Sequence, residues 1–169
     1  MNYDRLDRKA VVAMAVAVTF EGLRAGAGTF RALLDLPARG RVGPLAFADF
    51  SRATDLSMVG VVFYVVFGVG GALVTGLTWL IAVRSHAPVV VRRLLATSAI
   101  ASLLVLALTT QAAPLMWRVG SAPADPALLA GLLDRFAAWT MARVACVDVS
   151  FGATLTALTL VALRRAQPV

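Results

Sequence analysis

TFEGLRAG, Thr19 to Gly26, lies inside an apolar run that begins at Ala10, and it sets a carboxylate, Glu21, and a guanidinium, Arg24, among small and apolar neighbours. In water such a pair would be an ordinary helix surface. In hydrocarbon each charge is costly, so the solvent around this stretch decides how it is read. Of the 169 residues 60% are hydrophobic and only 15% are charged, and the mean hydropathy is +0.83. That leaves too little polar surface to coat a soluble globule of this size. The chain reads as an integral membrane protein, with Glu21 and Arg24 as charges inside a span.

A hydrocarbon core about 30 Å thick takes roughly 20 apolar residues per helix. Four stretches meet that requirement: residues 10–30, 56–83, 94–114 and 144–163. They are continuous rather than alternating and about twice as long as a barrel strand needs to be. The expected fold is all-α, a four-transmembrane-helix bundle forming a single domain over residues 1–169. The first run has the Arg8-Lys9 lead and the AGAG tail of a signal peptide, but its lead also carries Asp4 and Asp7, and it is read as a true span.

With the N terminus inside, the cytoplasmic flanks hold eight basic residues (Arg5, Arg8, Lys9, Arg84, Arg92, Arg93, Arg164, Arg165). The other side holds six (Arg31, Arg39, Arg41, Arg52, Arg118, Arg135). The excess places both termini in the cytoplasm and the long first connection outside. The expected location is a bacterial-type plasma membrane. The net charge of +7 is no argument for nucleic acid, because the basic residues bracket the spans as anionic headgroups favour. The expected partners are a lipophilic small molecule and membrane lipid, and homo-oligomerisation is compatible with the sequence.

Cys146 is the single cysteine and His86 the single histidine, so an intramolecular disulfide, a CxxC redox pair and a bis-histidine haem have no ligands here. No phosphate-binding glycine loop is present. GVGG, Gly68 to Gly71, lies within a span, where close helix packing explains it better than a phosphate does. No cofactor and no metal are expected. Gly22 with Gly26, and Gly68 with Ala72 and Gly76, have the four-residue spacing of membrane packing seams, the competing reading being room for a ligand.

The in-span polar residues fall mostly in one half of the membrane: Glu21 and Arg24, Asp55, Gln111 after Thr109 and Thr110, Arg143 and Asp148. Glu21 and Arg24 are three apart and share a helix face. Asp148 lies about 140° round the helix from Arg143 and needs a different neighbour. Each residue also has a plain structural reading. Asp55 would cap the second helix with Ser51 and Thr54, and Arg143 with Trp139 would anchor at the interface. Glu21 and Asp148 resist such readings, because a charge well inside a span costs about 2.5–3.5 kcal/mol even on the lenient insertion scale. A structural ion-pair network is the competing account. Convergence of Glu21, Arg24, Arg143 and Asp148 in one pocket is the functional expectation.

LPARG (Leu36 to Gly40), FADFSRATD, APLMWRVG at the end of the third span and LLDRFAAWTMARVA entering the fourth resemble, in order and spacing, the anthrone oxygenase-like four-helix membrane family. The resemblance covers most of the chain and falls on Pro37, Ala38, Arg39, Arg52, Pro114, Arg135, Phe136, Thr140 and Arg143. Met116 stands where that family tends to have Asn, and Thr140 where it tends to have His. If those groups serve catalysis there, this chain uses other residues or catalyses another reaction. The family implies chemistry on aromatic polyketides, including oxygenation of an anthrone without a recognisable cofactor.

Such a reaction needs a base for an acidic C–H proton and a cation for the resulting enolate oxygen. Glu21 or Asp148 is the expected base and Arg143 or Arg24 the anion holder, with Asp55, Gln111, Trp117, Trp139 and Thr140 as substrate contacts. The same groups could open an epoxide by hydrolysis or cyclisation. The expected function is therefore a membrane enzyme for a small polyketide-like metabolite, the alternatives being a proton-coupled transporter or a non-catalytic membrane subunit.

Asp125-Pro126 is a helix start with no further Pro before Pro168, so one unbroken helix is expected from Pro126 to about Arg164. Its projecting part carries Leu128, Leu129, Leu132, Leu133 and Phe136. The first connection is expected to cover that stripe as a lid, turning Leu33, Leu34, Leu45, Phe47 and Phe50 toward the bundle and closing over Glu21 and Arg24. On this reading Glu21→Gln gives folded protein with activity lost.

Overall fold

The structure, a computed structural model, describes residues 8–165; Arg5, Asp4 and Asp7, used above for orientation and for the signal-peptide reading, lie outside them. The described residues are all-helical, without a strand. Helix α1 (Arg8–Phe30) runs through a π turn (Arg31–Asp35) into α2 (Leu36–Val42), followed by α3 (Pro44–Thr54), α4 (Met58–Arg84), α5 (Val89–Ser121) and α6 (Pro126–Arg165). Four helical stretches, 8–42, α4, α5 and α6, are long and apolar enough to cross a membrane. Each packs on two others, α1 on α4 and α6, and α5 on α4 and α6, giving an up-and-down square. Ala10 and Met14 share an apolar cluster with Ala157 and Val161, so both chain ends lie at one end of the bundle. The opposite end is called distal below.

The first span does not stop at Phe30. Pro37 lacks an N–H, and its ring would collide with the carbonyl four residues back in a regular helix. The wider π turn, in which the Leu36 N–H donates to the Arg31 carbonyl, carries the chain past that collision instead of ending the helix. Gly43, at φ 84°, then turns the chain into α3, a conformation that favours glycine.

Pro114 does not close the third helix either: α5 continues to Ser121. A proline inside a helix costs about 3 kcal/mol. Beyond it Leu115, Met116 and Val119 are buried, at about 1.5–3 kcal/mol each. Their burial outweighs the break.

Helix α6 is unbroken as expected, 40 residues or about 60 Å, with the Asp125 carboxylate accepting from the Ala127 and Leu128 N–H groups. Its projecting stripe, apart from the exposed Leu128, is covered, and the first connection supplies only part of that cover. Leu129, Leu132, Leu133 and Phe136 pack against Leu36, Phe47 and Ala48 of the connection and against Ala112, Leu115, Met116 and Val119 of the lengthened α5. Of the five expected lid residues only Phe47 is buried; Leu33, Leu34, Leu45 and Phe50 are exposed. With α5 extended, much of the stripe already has its cover, and the connection lies along the distal end with an apolar face outward.

The packing seam of α4 is also one register away from the expected one. Its buried face is Gly71, Thr75, Thr78 and Ala82, whereas nothing lies near a Cβ placed at Gly76.

Candidate functional site

Every buried residue of α4 lies in the half near the chain ends; from Met58 to Gly70 none is buried. The distal half of α4 touches its neighbours, Phe67 stacking on Phe20 of α1, but is less covered by them, and a cleft lies on each side. One, of about 240 Å³, lies between α1, the π turn, α4 and α6, and its wall includes Arg24, Arg31, Asp35, Tyr64, Thr140 and Arg143. The other, of about 220 Å³, lies between α4 and α5 and is lined mainly by Leu56, Val61, Val65, Leu106, Met116 and Trp117, with Asp55 at one end. They are called the polar and the apolar cleft. Exposed residues, Ala27 and Phe63 in the first and Val61, Val65 and Trp117 in the second, stand at the mouths. Tyr64, Gly68, Thr109 and Arg143 belong to both walls.

Three guanidinium groups stand around the polar cleft, in three different states. Arg24 donates to Glu21 Oε1 at 2.6 Å and to Ser102 Oγ at 3.2 Å. The pair is deeply buried, Glu21 being 0% and Arg24 6% exposed. Arg31 makes a two-pronged pair with the Asp55 carboxylate, one prong at 2.7 Å, and the Tyr64 hydroxyl donates to the same carboxylate at 2.9 Å. The Arg31 guanidinium also lies 5.6 Å from the centre of the Phe136 ring. Arg143 has no carboxylate within ion-pairing distance among the described residues. Its guanidinium lies 5.8 Å from the centre of the Tyr64 ring. Across the same cleft Asp35, half-buried, makes no ion pair among the described residues.

Unused donors gather here. Arg24 Nη2, Arg31 Nε, Thr140 Oγ1 and Arg143 Nε are all buried without a hydrogen-bond partner. A buried polar group without a partner is costly, and four on residues that line one cleft, from α1, the π turn and α6, suit an anionic or strongly accepting guest.

The expected site residues divide accordingly. Arg24, Thr140 and Arg143 line the polar cleft, and Asp55 and Trp117 the apolar one. Glu21 lies behind Arg24 as half of an ion pair and lines neither cleft. Asp148 does not converge with the others: it is exposed, its Oδ1 accepting from Thr29 Oγ1 at 3.3 Å. The 140° that separates it from Arg143 turns it out of the bundle when Arg143 points in. Gln111 and Trp139 are exposed and line neither cleft; Thr109, two residues before Gln111, reaches the cleft instead.

Asp55 is not the cap of α4. Ser57 is, accepting from the Gly60 N–H at 3.0 Å, because Asp55 is committed to Arg31 and Tyr64. Arg39 pairs with Asp134, and Arg52 with Asp49 while also donating to the Val119 and Ala122 carbonyls. These two arginines fasten the connection to α6 and α5.

Sequence reasoning missed Arg31, Asp35 and Tyr64. Asp35 and Arg31 sit in what read as the first connection, beyond the first span, and Tyr64 inside the second span, residues 56–83. The available signal was that no Pro occurs between Ala10 and Leu36, so nothing there breaks the first helix before Pro37.

Gly71 permits the Arg24 geometry: a Cβ there would stand 1.8 Å from Arg24 Nη1. Gly71→Ala should therefore dislodge Arg24 from Glu21 and destabilise the protein by about 1–3 kcal/mol, as overpacking does. Gly76→Ala, where nothing lies within 4 Å, should leave stability equal or slightly raised. Reversible unfolding in mixed micelles compares the two; equal behaviour would refute this role of Gly71.

No family model, curated protein or solved structure matches this chain.

Proposed function

We propose that this chain is a membrane enzyme acting on a small lipophilic, polyketide-like metabolite by acid–base chemistry in the polar cleft, with Asp35 as base and Arg143 as holder of the developing oxyanion. The observation that carries the reading is a carboxylate and a guanidinium, neither ion-paired among the described residues, lining one cleft. A carboxylate free of a salt bridge is available to take a proton, and a guanidinium free of one is available to a new anion. Glu21, the expected base, is already engaged with Arg24, and Asp148 faces outward.

For an anthrone, Asp35 would remove a ring C–H proton to leave an enolate whose oxygen rests on Arg143. The enolate passes one electron to O₂, and the radical pair combines to a peroxide. Loss of water from that peroxide yields the quinone. For an epoxide, Asp35 would instead activate water or an internal hydroxyl. Proton transfer to Asp35 is common to both.

Transport is the weaker reading. Ser102, Ser150, Ser98 and Thr154 continue from Arg24 as a chain of hydroxyls. The chain runs into a layer of Ala10, Met14, Ala82, Val91, Leu95, Ala157 and Val161. A dead-end cleft serves a reaction better than a path.

The test is turnover by the purified chain in nanodiscs, with an anthrone and an epoxide-bearing aromatic polyketide as probes, followed by O₂ uptake and product absorbance. Turnover of either that depends on the protein is expected. Tight binding of both probes with no conversion of either would overturn the enzymatic reading.

A further inference from the structure

The two clefts are separate only in part. Each is smaller than the roughly 300–1,000 Å³ of a usual ligand pocket, while together they fall within that range. Their common boundary is made by Tyr64, Gly68, Thr109 and Arg143, and at Gly68 it has no side chain. Their linings are complementary. The polar cleft holds the unpartnered Thr140 hydroxyl, 3% exposed, and the unused Arg24 and Arg143 nitrogens. The apolar cleft offers Val65, Leu106, Ala113 and Met116.

We infer that the two clefts form one bipartite site for an amphiphile, whose anionic oxygen rests on Arg143 in the polar cleft while its hydrocarbon body passes Gly68 into the apolar cleft. The inference rests on the reading of the polar cleft as the substrate's seat and adds the substrate's shape: an oxyanion, carboxylate or enolate, joined to an apolar extension. Gly68 is the passage. A Cβ there would stand 3.6 Å from Leu106 Cδ2, an ordinary contact, so the backbone tolerates a side chain at this point, and a longer one would extend into the opening. With no residue from Met58 to Gly70 buried, no other part of the protein covers that length of α4 beside the two clefts.

The experiment is photo-crosslinking in phosphatidylcholine nanodiscs. The probe is a naphthalene carboxylate bearing an alkyl chain tipped with a diazirine, and the control is the alkyl diazirine alone. Peptide mapping should place the probe's cross-links on Val65, Leu106, Ala113 and Met116, whereas the control spreads over the exposed faces. Arg143→Leu should reduce the probe's labelling at least about tenfold, the smaller end of what a charge-assisted hydrogen bond contributes, and leave the control unchanged.

Gly68→Leu tests the passage without touching the charge, and should shift cross-links out of the apolar cleft. Identical patterns for probe and control, or labelling indifferent to both substitutions, would overturn the bipartite site. Loss of labelling when phosphatidylglycerol replaces phosphatidylcholine would overturn it in favour of an anionic lipid headgroup on Arg143. Labelling requires no turnover, so specific cross-links without conversion would leave this site standing and refute only the enzymatic reading. Conversion without cross-links in the apolar cleft would do the reverse.

Discussion

Glu21→Gln is expected to destabilise the bundle by about 3–5 kcal/mol, the usual result of removing one partner of a buried ion pair. Glu21 is fully buried and holds Arg24 at 2.6 Å; the other contact of that guanidinium is the Ser102 hydroxyl. Gln preserves the shape and an acceptor but leaves the positive charge uncompensated between apolar helices. If the charge is the cause, Glu21→Gln combined with Arg24→Met should recover most of the loss, because a buried pair can be replaced by apolar groups of similar volume at little cost. Reversible unfolding of the four proteins in mixed micelles measures this as a double-mutant cycle. A double variant no more stable than Glu21→Gln alone would show that shape matters rather than charge. A Glu21→Gln protein as stable as the parent yet inactive would return Glu21 to the role of base.

Asp35→Asn should leave stability within about 0.5 kcal/mol of the parent, as for a half-buried side chain that makes no ion pair or hydrogen bond among the described residues, and lower turnover by at least about 100-fold, the usual size of a general-base contribution. The separation of the two readouts is what distinguishes Asp35 from its neighbours. Asp55→Asn would release Arg31 and Tyr64 together and should lower stability as well as rate. Rates are compared on whichever probe the parent converts, with unfolding measured on the same preparations. Asp35→Asn that retains the parent rate removes Asp35 from the chemistry; the reading of the polar cleft would then need another base.

By itself the sequence determined the membrane class, the four apolar spans, the cap and unbroken course of α6, and the helix face that Glu21 and Arg24 share. All of these rest on local quantities: apolar run length against bilayer thickness, an Asp-Pro start, and a three-residue spacing that brings two side chains to one helix face. Even the angle that turns Asp148 away from Arg143 was readable along one helix. Only the tertiary structure decided which of the two points inward, because that depends on where α1 and α5 lie around α6.

The same holds for the continuation of α5 past Pro114, which follows from what Leu115, Met116 and Val119 bury against α6 and α3. It holds as well for the uncovered distal half of α4, whose apolar composition is the same whether neighbours pack on it or stand off. The cleft residues Arg31, Asp35 and Tyr64 come from two separate places in the chain, the π turn and the first half of α4, and no periodicity joins the two. Their meeting depends on Pro37 carrying the first span onward as a π turn while Asp55 holds the end of α3 beside it. A helix's own period states which side chains share its face; what that face meets is settled by the packing of the whole bundle.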